Sequence, residues 1–244
     1  MSQKIKKILT LLIIIIPTQL TAGNNSNDVD LSFFDEPAKK STDIAKYNEH
    51  SPQHDFLKAV HAYKTGDHIR AFKLFHTLAA YGNANAQYNL ASMYYNGYGI
   101  LKNRQKAAFW YRHSALRGHV ISQHSLAALY YKGLGVTRSY SHAYQWFSRA
   151  ANQGHADSQY NLAIMYYSAQ GVAHNPKEAF KWFMRAAKQG DINSQYNLGT
   201  MYYTGIGVDR NMVQAFRWHT RAARNGHPQS RLWLKIQLRT AATK

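Results

Sequence analysis

The chain has no cysteine, which excludes a disulfide framework, thiolate zinc sites, a thiol nucleophile and lipid attachment to a mature N-terminal Cys. Acid is scarce as well. Twelve Asp and Glu stand against thirty Lys and Arg, so the 244 residues carry +18 with His neutral. That excess predicts attraction to anionic surfaces and says nothing about fold. Long apolar runs are missing: the one run, Ile8 to Ile16, is stopped by Pro17 and is about half of what a membrane-spanning helix needs. Only five Pro accompany 18 Tyr and five Trp, an unusual supply of large amphipathic side chains. With 45% apolar and 17% charged residues, the chain can bury a core, and its length suits one or two domains or one repeat array.

Lys4, Lys6 and Lys7 precede the apolar run, and Leu20-Thr21-Ala22 follows it with a small residue at its end. A basic start, a short apolar stretch and a small-residue exit describe a cleavable secretory signal peptide over 1–22. The mature chain is therefore expected in the periplasm or outside a bacterial cell. Residues 23–54 read as a flexible acidic arm. Over residues 24–55, Asp28, Asp30, Asp35, Glu36, Asp43, Glu49 and Asp55 outweigh Lys39, Lys40 and Lys46, and no helical period is visible. Residues 56–244 hold 24 Lys and Arg against five Asp and Glu, a net of +19. An acidic arm thus joins a basic body. Within the arm, Phe33, Phe34, Asp35 and Glu36 form an aromatic-acidic patch. Tethered to a cationic body, that patch is expected to set its Phe pair on an aromatic rung and its acids against Arg or Lys, with a plain spacer as the competing reading.

The body repeats every 36 residues. Gly82, Gly118, Gly154, Gly190 and Gly226 keep that spacing, as do Trp110, Trp146, Trp182 and Trp218. So do Leu90, Leu126, Leu162 and Leu198, and Gln87, Gln123, Gln159 and Gln195. Tracks in register without an insertion mean a solenoid whose units bury their faces on one another. Each unit reads as two helices. Ala86, Leu90, Met93 and Tyr94 make a helical stripe on the first, ended by Gly97-Tyr98-Gly99. Ala107, Trp110, Tyr111 and Ala115 share one face of the second, which Gly118 stops.

At these residues the chain resembles the Sel-one-like repeat family, relatives of the tetratricopeptide repeat. Four full copies match its pattern, at 83–118, 119–154, 155–190 and 191–226. A shorter unit is expected at 55–82 and a capping helix at 227–244. The resemblance implies an all-α, right-handed α/α superhelical solenoid with the first helices lining its concave side. Two departures stand out. The family's loop Asp is replaced by Asn103, Ser139, Asn175 and Asn211, and Ala169 replaces the first loop glycine of the third copy. That third loop is expected to differ in shape from its siblings.

Function is read from the surface, because no chemistry-bearing constellation is found. His119, His155 and His227 each follow a unit-ending glycine and read as capping residues rather than metal ligands. No metal site and no cofactor are expected. The body's acids are scattered over separate units, and neither Gly-x-Ser-x-Gly nor Ser-x-x-Lys occurs, so no enzyme is expected. Family members described as β-lactamases usually carry a Cys pair in every repeat, which is absent here. Opposite the Leu90 stripe, each first helix places Tyr88 and Tyr95, His124 and Tyr131, Tyr160 and Tyr167, Tyr196 and Tyr203. This recurring aromatic row is a partner-binding surface for a protein or peptide, with packing against the neighbouring unit as the alternative. Lys181, Arg185 and Lys188, then Arg217, Arg221 and Arg224, form two basic ridges on the second helices. They read as a solvated face or as a site for an anionic envelope component. The expected function is a non-catalytic exported scaffold acting in envelope processes or contact with a host. A basic polyanion-binding protein, with an envelope glycan ahead of nucleic acid, is the alternative class.

Overall fold

The computed structural model describes residues 52–242, so the signal-peptide and arm readings, with Phe33, Phe34, Asp35 and Glu36, lie outside the described residues. Among them are eleven helices and no strand. In order these are α1 (Pro52–Lys64), α2 (His68–Ala80), α3 (Ala84–Asn96), α4 (Arg104–Leu116), α5 (Val120–Lys132) and α6 (Tyr140–Asn152). Then come α7 (Ala156–Ser168), α8 (Pro176–Lys188), α9 (Ile192–Thr204), α10 (Met212–Arg224) and α11 (Pro228–Ala242). Each helix packs on the one before and the one after it, giving an all-α repeat solenoid. The arm is shorter than expected. Residues 52–54, assigned to it above, already belong to α1, because Pro is pre-set for the first turn of a helix and Asp55 suits its positive end.

The helices stop and start on side chains placed by the period. Asn83, His119, His155 and Asp191 cap the first helices, each accepting the backbone N–H three residues on. Asn103, Ser139, Asn175 and Asn211 do the same for the second helices. The missing loop acids therefore cost the fold nothing, since Asn and Ser cap as well as Asp. The expected stripes face inward: Ala86, Leu90 and Met93 are fully buried, and Trp110, Trp146 and Trp182 nearly so.

Two contacts fix the step from unit to unit. The Gln track is one: Gln87, Gln123, Gln159 and Gln195 each donate Nε2 to a carbonyl at the end of the preceding second helix, Ala79, Ala115, Ala151 and Ala187, at 3.0–3.3 Å. The other is the second loop glycine. A Cβ on Gly99, Gly135, Gly171 or Gly207 would overlap the first backbone carbonyl of the preceding second helix, that of His68, Arg104, Tyr140 or Pro176. Backbone thus rests on backbone at each junction.

The third loop does not differ in conformation from its siblings, contrary to expectation. Ala169 ends α7 at φ 55°, ψ 36°, in the left-handed region that Gly97, Gly133 and Gly205 occupy. It makes the same cap, its N–H donating to the carbonyl of Met165. The junction with the preceding unit is held by Gly171, which is retained, so the loop keeps its shape and Ala169 takes the strain.

Candidate functional site: two faces of the repeats

The first helices from α3 to α9 carry almost no charge; Lys132 and Asp157 are their only Lys, Arg, Asp or Glu. Their aromatic row divides into two. Tyr88, His124, Tyr160 and Tyr196 sit in the seam between units. Each packs on the second helix of its own unit, with ring centroids 5.9 Å apart for Tyr88 and Tyr111, 5.4 Å for His124 and Phe147, 5.9 Å for Tyr160 and Phe183, and 5.6 Å for Tyr196 and His219. Three of them also meet the cap of the next unit: Tyr88 on His119, His124 on His155, Tyr196 stacked on His227 at 4.4 Å. The inter-unit packing reading describes these four. Tyr196 in particular is 3% exposed, so it is not open groove surface as expected. Burial pushes the hydroxyl of Tyr160 up to about 12, with the Asp191 carboxylate adding to it, and raises that of Tyr196.

Tyr95, Tyr131, Tyr167 and Tyr203 form the second row, and all four are half-buried. They lie against the loops, and Tyr203 also meets Trp233 of α11 edge-on at 5.5 Å; here the structure adds residues that the sequence reading missed. Lys102 and Arg104 stand 5.9 and 6.0 Å from the Tyr95 ring centroid, and Arg210 stands 5.9 Å from that of Tyr203. His174 packs edge-on to Tyr167 at 6.1 Å. Tyr131 donates to Gln170 Oε1 at 2.9 Å and meets Tyr140, which has Arg138 over it. Lys102, Arg138, His174 and Arg210 are themselves 36 residues apart, a signal present in the sequence but interrupted by the change from Lys or Arg to His. Between the rings stand uncharged polar groups: Asn89 and Asn96 donate to the carbonyls of Asn85 and Ser92.

The second helices carry the charge. Lys181, Arg185, Lys188, Arg217, Arg221 and Arg224 are all exposed, as expected for ridges. Three arginines are braced by the Trp track. Arg149 lies 4.4 Å from the Trp146 centroid, Arg185 4.2 Å from Trp182 and Arg221 5.8 Å from Trp218, so each guanidinium is held by cation–π attraction while the residue stays exposed. Among the described residues, the ion pairs are Lys58–Asp55 and Lys181–Glu178.

The histidines serve packing and caps. His119, His155 and His227 accept from the N–H of Ser122, Ser158 and Ser230 through Nδ1 at 3.2–3.3 Å, which requires that nitrogen to be unprotonated. No group of three or more His, Cys, Asp or Glu among the described residues could hold a metal ion, nor is any described helix long and apolar enough to cross a membrane.

Paired helices with a fixed 36-residue step, an uncharged Tyr/Asn/Ser face and a cationic opposite set define a helical-repeat solenoid of the tetratricopeptide type. The chain belongs to the Sel1 repeat family, which it matches over residues 84–119, 120–155, 156–191 and 192–227, more than half of its length. Proteins built from these repeats are generally scaffolds that bind protein partners. No curated protein matches the chain. Among solved structures it is similar to c5321, described as a protective antigen present in uropathogenic Escherichia coli with an SLR fold, at 29% identity and a TM-score of 0.73. The match covers 79% of this chain and 42% of that one, so this chain spans less than half of that relative. It is also similar to a Sel1 repeat protein from Oxalobacter formigenes, at 30% identity and a TM-score of 0.70, covering 73% of each chain.

Proposed function

We propose that this protein is an exported, non-catalytic scaffold whose first-helix face binds a protein or peptide partner in the bacterial envelope or in contact with a host. The observation that carries the reading is the composition of that face. Half-buried Tyr95, Tyr131, Tyr167 and Tyr203 alternate with Asn and Ser on helices almost free of charge. Tyr offers large contact area at low entropy cost, and Asn and Ser adapt their hydrogen bonds to a partner. Lys102, Arg138 and Arg210 border the rings and would read acidic groups on that partner. Export rests on the basic and apolar pattern of residues 1–22.

The test is a pull-down from the exporting organism with wild type and a Tyr95→Ser/Tyr167→Ser variant as parallel baits. A protein captured by wild type should fall at least about tenfold with the variant, in line with the loss of two aromatic anchors. Equal capture by both baits sinks the reading, as does recovery of the signal peptide uncleaved on the cytoplasmic side.

A further inference from the structure

Three positions on the second helices change steadily along the chain. They are Phe109, His113 and Leu116 on α4, then Gln145, Arg149 and Asn152 on α6. On α8 they become Lys181, Arg185 and Lys188, and on α10 Arg217, Arg221 and Arg224. The fold of each unit is the same, and α4 forms without a Lys or Arg at any of the three, so packing does not call for cations there. Their accumulation toward one end is a property of the surface.

Helix α11 continues it. Its buried side holds Ser230 and Trp233, with the Trp233 ring stacked on His219 at 4.1 Å. Its outer side holds Arg231, Lys235 and Arg239, all exposed. Arg231 Nε donates to the carbonyl of Ala223 at 3.1 Å, which joins this stripe to the end of α10. Ten exposed cations thus lie on α8, α10 and α11, Lys177 among them, against a single carboxylate on those helices, Glu178, which is paired with Lys181. On α10, Arg217, Arg221 and Arg224 line an open depression of about 610 Å³ with Phe216 and Thr220. Apolar side chains stand among the charges: Leu232 is 55% exposed, Ile236 42% and Leu238 64%. At 100° per residue, Leu232 and Ile236 border one side of the Arg231–Lys235–Arg239 stripe and Leu238 the other.

We propose that this end of the second-helix face docks on an anionic lipid bilayer, its arginines and lysines on the phosphate headgroups and Leu232 and Ile236 in the interface. A bilayer is favoured over an acidic protein by the arrangement of the groups. Three of the cations line the α10 depression, but the others are spread over the exposed sides of α8 and α11 rather than gathered in one groove, and the apolar residues on α11 need an apolar acceptor. A bilayer surface supplies both at once, with long Lys and Arg stems reaching back to the headgroups. Helix α11 meets the Tyr row through Trp233, 5.5 Å from Tyr203, but its docking residues stand on its exposed outer side, so the proposal does not rest on the partner-binding reading.

The experiment is co-sedimentation of the mature chain, residues 23–244, with vesicles of phosphatidylcholine alone and of phosphatidylcholine with about one-third phosphatidylglycerol. One variant carries Arg217→Gln, Arg221→Gln, Arg224→Gln and Lys235→Gln. A control removes the same charge from the other end of the solenoid, with Lys58→Gln, Lys64→Gln, Arg70→Gln and Lys73→Gln. Far-ultraviolet circular dichroism and thermal melting check that all fold. Partition onto the anionic vesicles should fall about a hundredfold in the first variant and stay within about twofold in the control, since attraction is local to charges near the surface. Leu232→Ser/Ile236→Ser should lower it about threefold or more. Equal losses in the two charge variants overturn the proposal, because net charge alone then accounts for binding. Binding indifferent to phosphatidylglycerol overturns it too. Displacement of wild type from the vesicles by poly-glutamate at matched charge, with no effect of the Leu232/Ile236 change, assigns the surface to an acidic protein instead.

Discussion

At the scale of single residues, the repeats tolerate exchange where one side chain can compensate another. Ala169 is the only residue other than glycine with positive φ among the described residues. Left-handed backbone costs an L-residue about 1–2 kcal/mol, and glycine gives back part of any gain through its freer unfolded chain. Ala169→Gly should therefore stabilise the protein by about 0.5–1 kcal/mol, read as a higher midpoint in urea unfolding; an unchanged or lower midpoint would contradict the strain. The fourth unit shows paired exchange. His219 stands where the earlier units have Tyr111, Phe147 and Phe183, and Gly199 stands where they have Ala91, Ala127 and Ala163. A Cβ on Gly199 would come within 2.7 Å of the His219 ring, so the smaller residue makes the room. The first unit shows exchange without compensation. Gln123, Gln159 and Gln195 accept at Oε1 from Gln153, Gln189 and Asn225, whereas Arg117 holds that place beside Gln87, whose buried Oε1 has no partner.

At the scale of helices, caps set where each element begins and loop glycines set how closely units approach. The two loop glycines do different jobs. The first needs only a left-handed conformation, which Ala169 adopts. The second lies against a carbonyl of the preceding unit, where no side chain fits. Gly135→Ala would drive a methyl group into the backbone of Arg104, and neither backbone segment can yield without loosening the junction between α4 and α5–α6. The expected loss is about 3 kcal/mol or more, seen in chemical unfolding. A loss no larger than about 1 kcal/mol would show that the junction is soft. The Trp track also works at this scale. Trp146 and Trp182 are buried and also brace Arg149 and Arg185, so core packing and surface charge are coupled on α6 and α8.

For the whole molecule, the seams between units contain neutral histidines, and acid should open them. Burial holds His124 down to about 4, aided by nearby His155, and holds His219 down to about 3, aided by His227. Burial also lowers His119 and His227. Their folded values lie below the unfolded value of about 6.5, so the unfolded chain takes up protons first. The stability involved is complete above about pH 6.5 and is lost as pH falls through about 4 toward 3, about 3 kcal/mol from His124 and about 5 kcal/mol from His219. Urea midpoints measured from pH 7.5 down to 4 should fall steadily, and His219→Phe should flatten that decline. A flat wild-type profile would mean that the rings are not held neutral. Charge is also divided over the molecule, with an almost uncharged Tyr/Asn/Ser face on the first helices and, at three positions of the second helices, cations that replace uncharged residues from α4 to α10.

The sequence alone determined the repeat, and with it the helices. Gly, Trp, Leu and Gln in register mark where helices end and which faces meet, because a solenoid uses the same local contacts in every unit; the helix beginning at Ala84 and ending at Asn96 was legible residue by residue. Period and composition also isolated the aromatic row and the basic ridges. What they could not decide is which member of a recurring pair is covered. Tyr88 and Tyr95 lie on the same outward arc of one helix, yet the first packs on Tyr111 and the next unit's His119 while the second lies under Lys102 and Arg104. Likewise, spacing showed both loop glycines alike, and only the approach of the preceding carbonyl separates the one that tolerates Ala from the one that does not. Helical period fixes the direction in which a side chain leaves its own helix; the distance to the neighbouring unit, which tertiary packing sets, decides whether it meets protein or solvent.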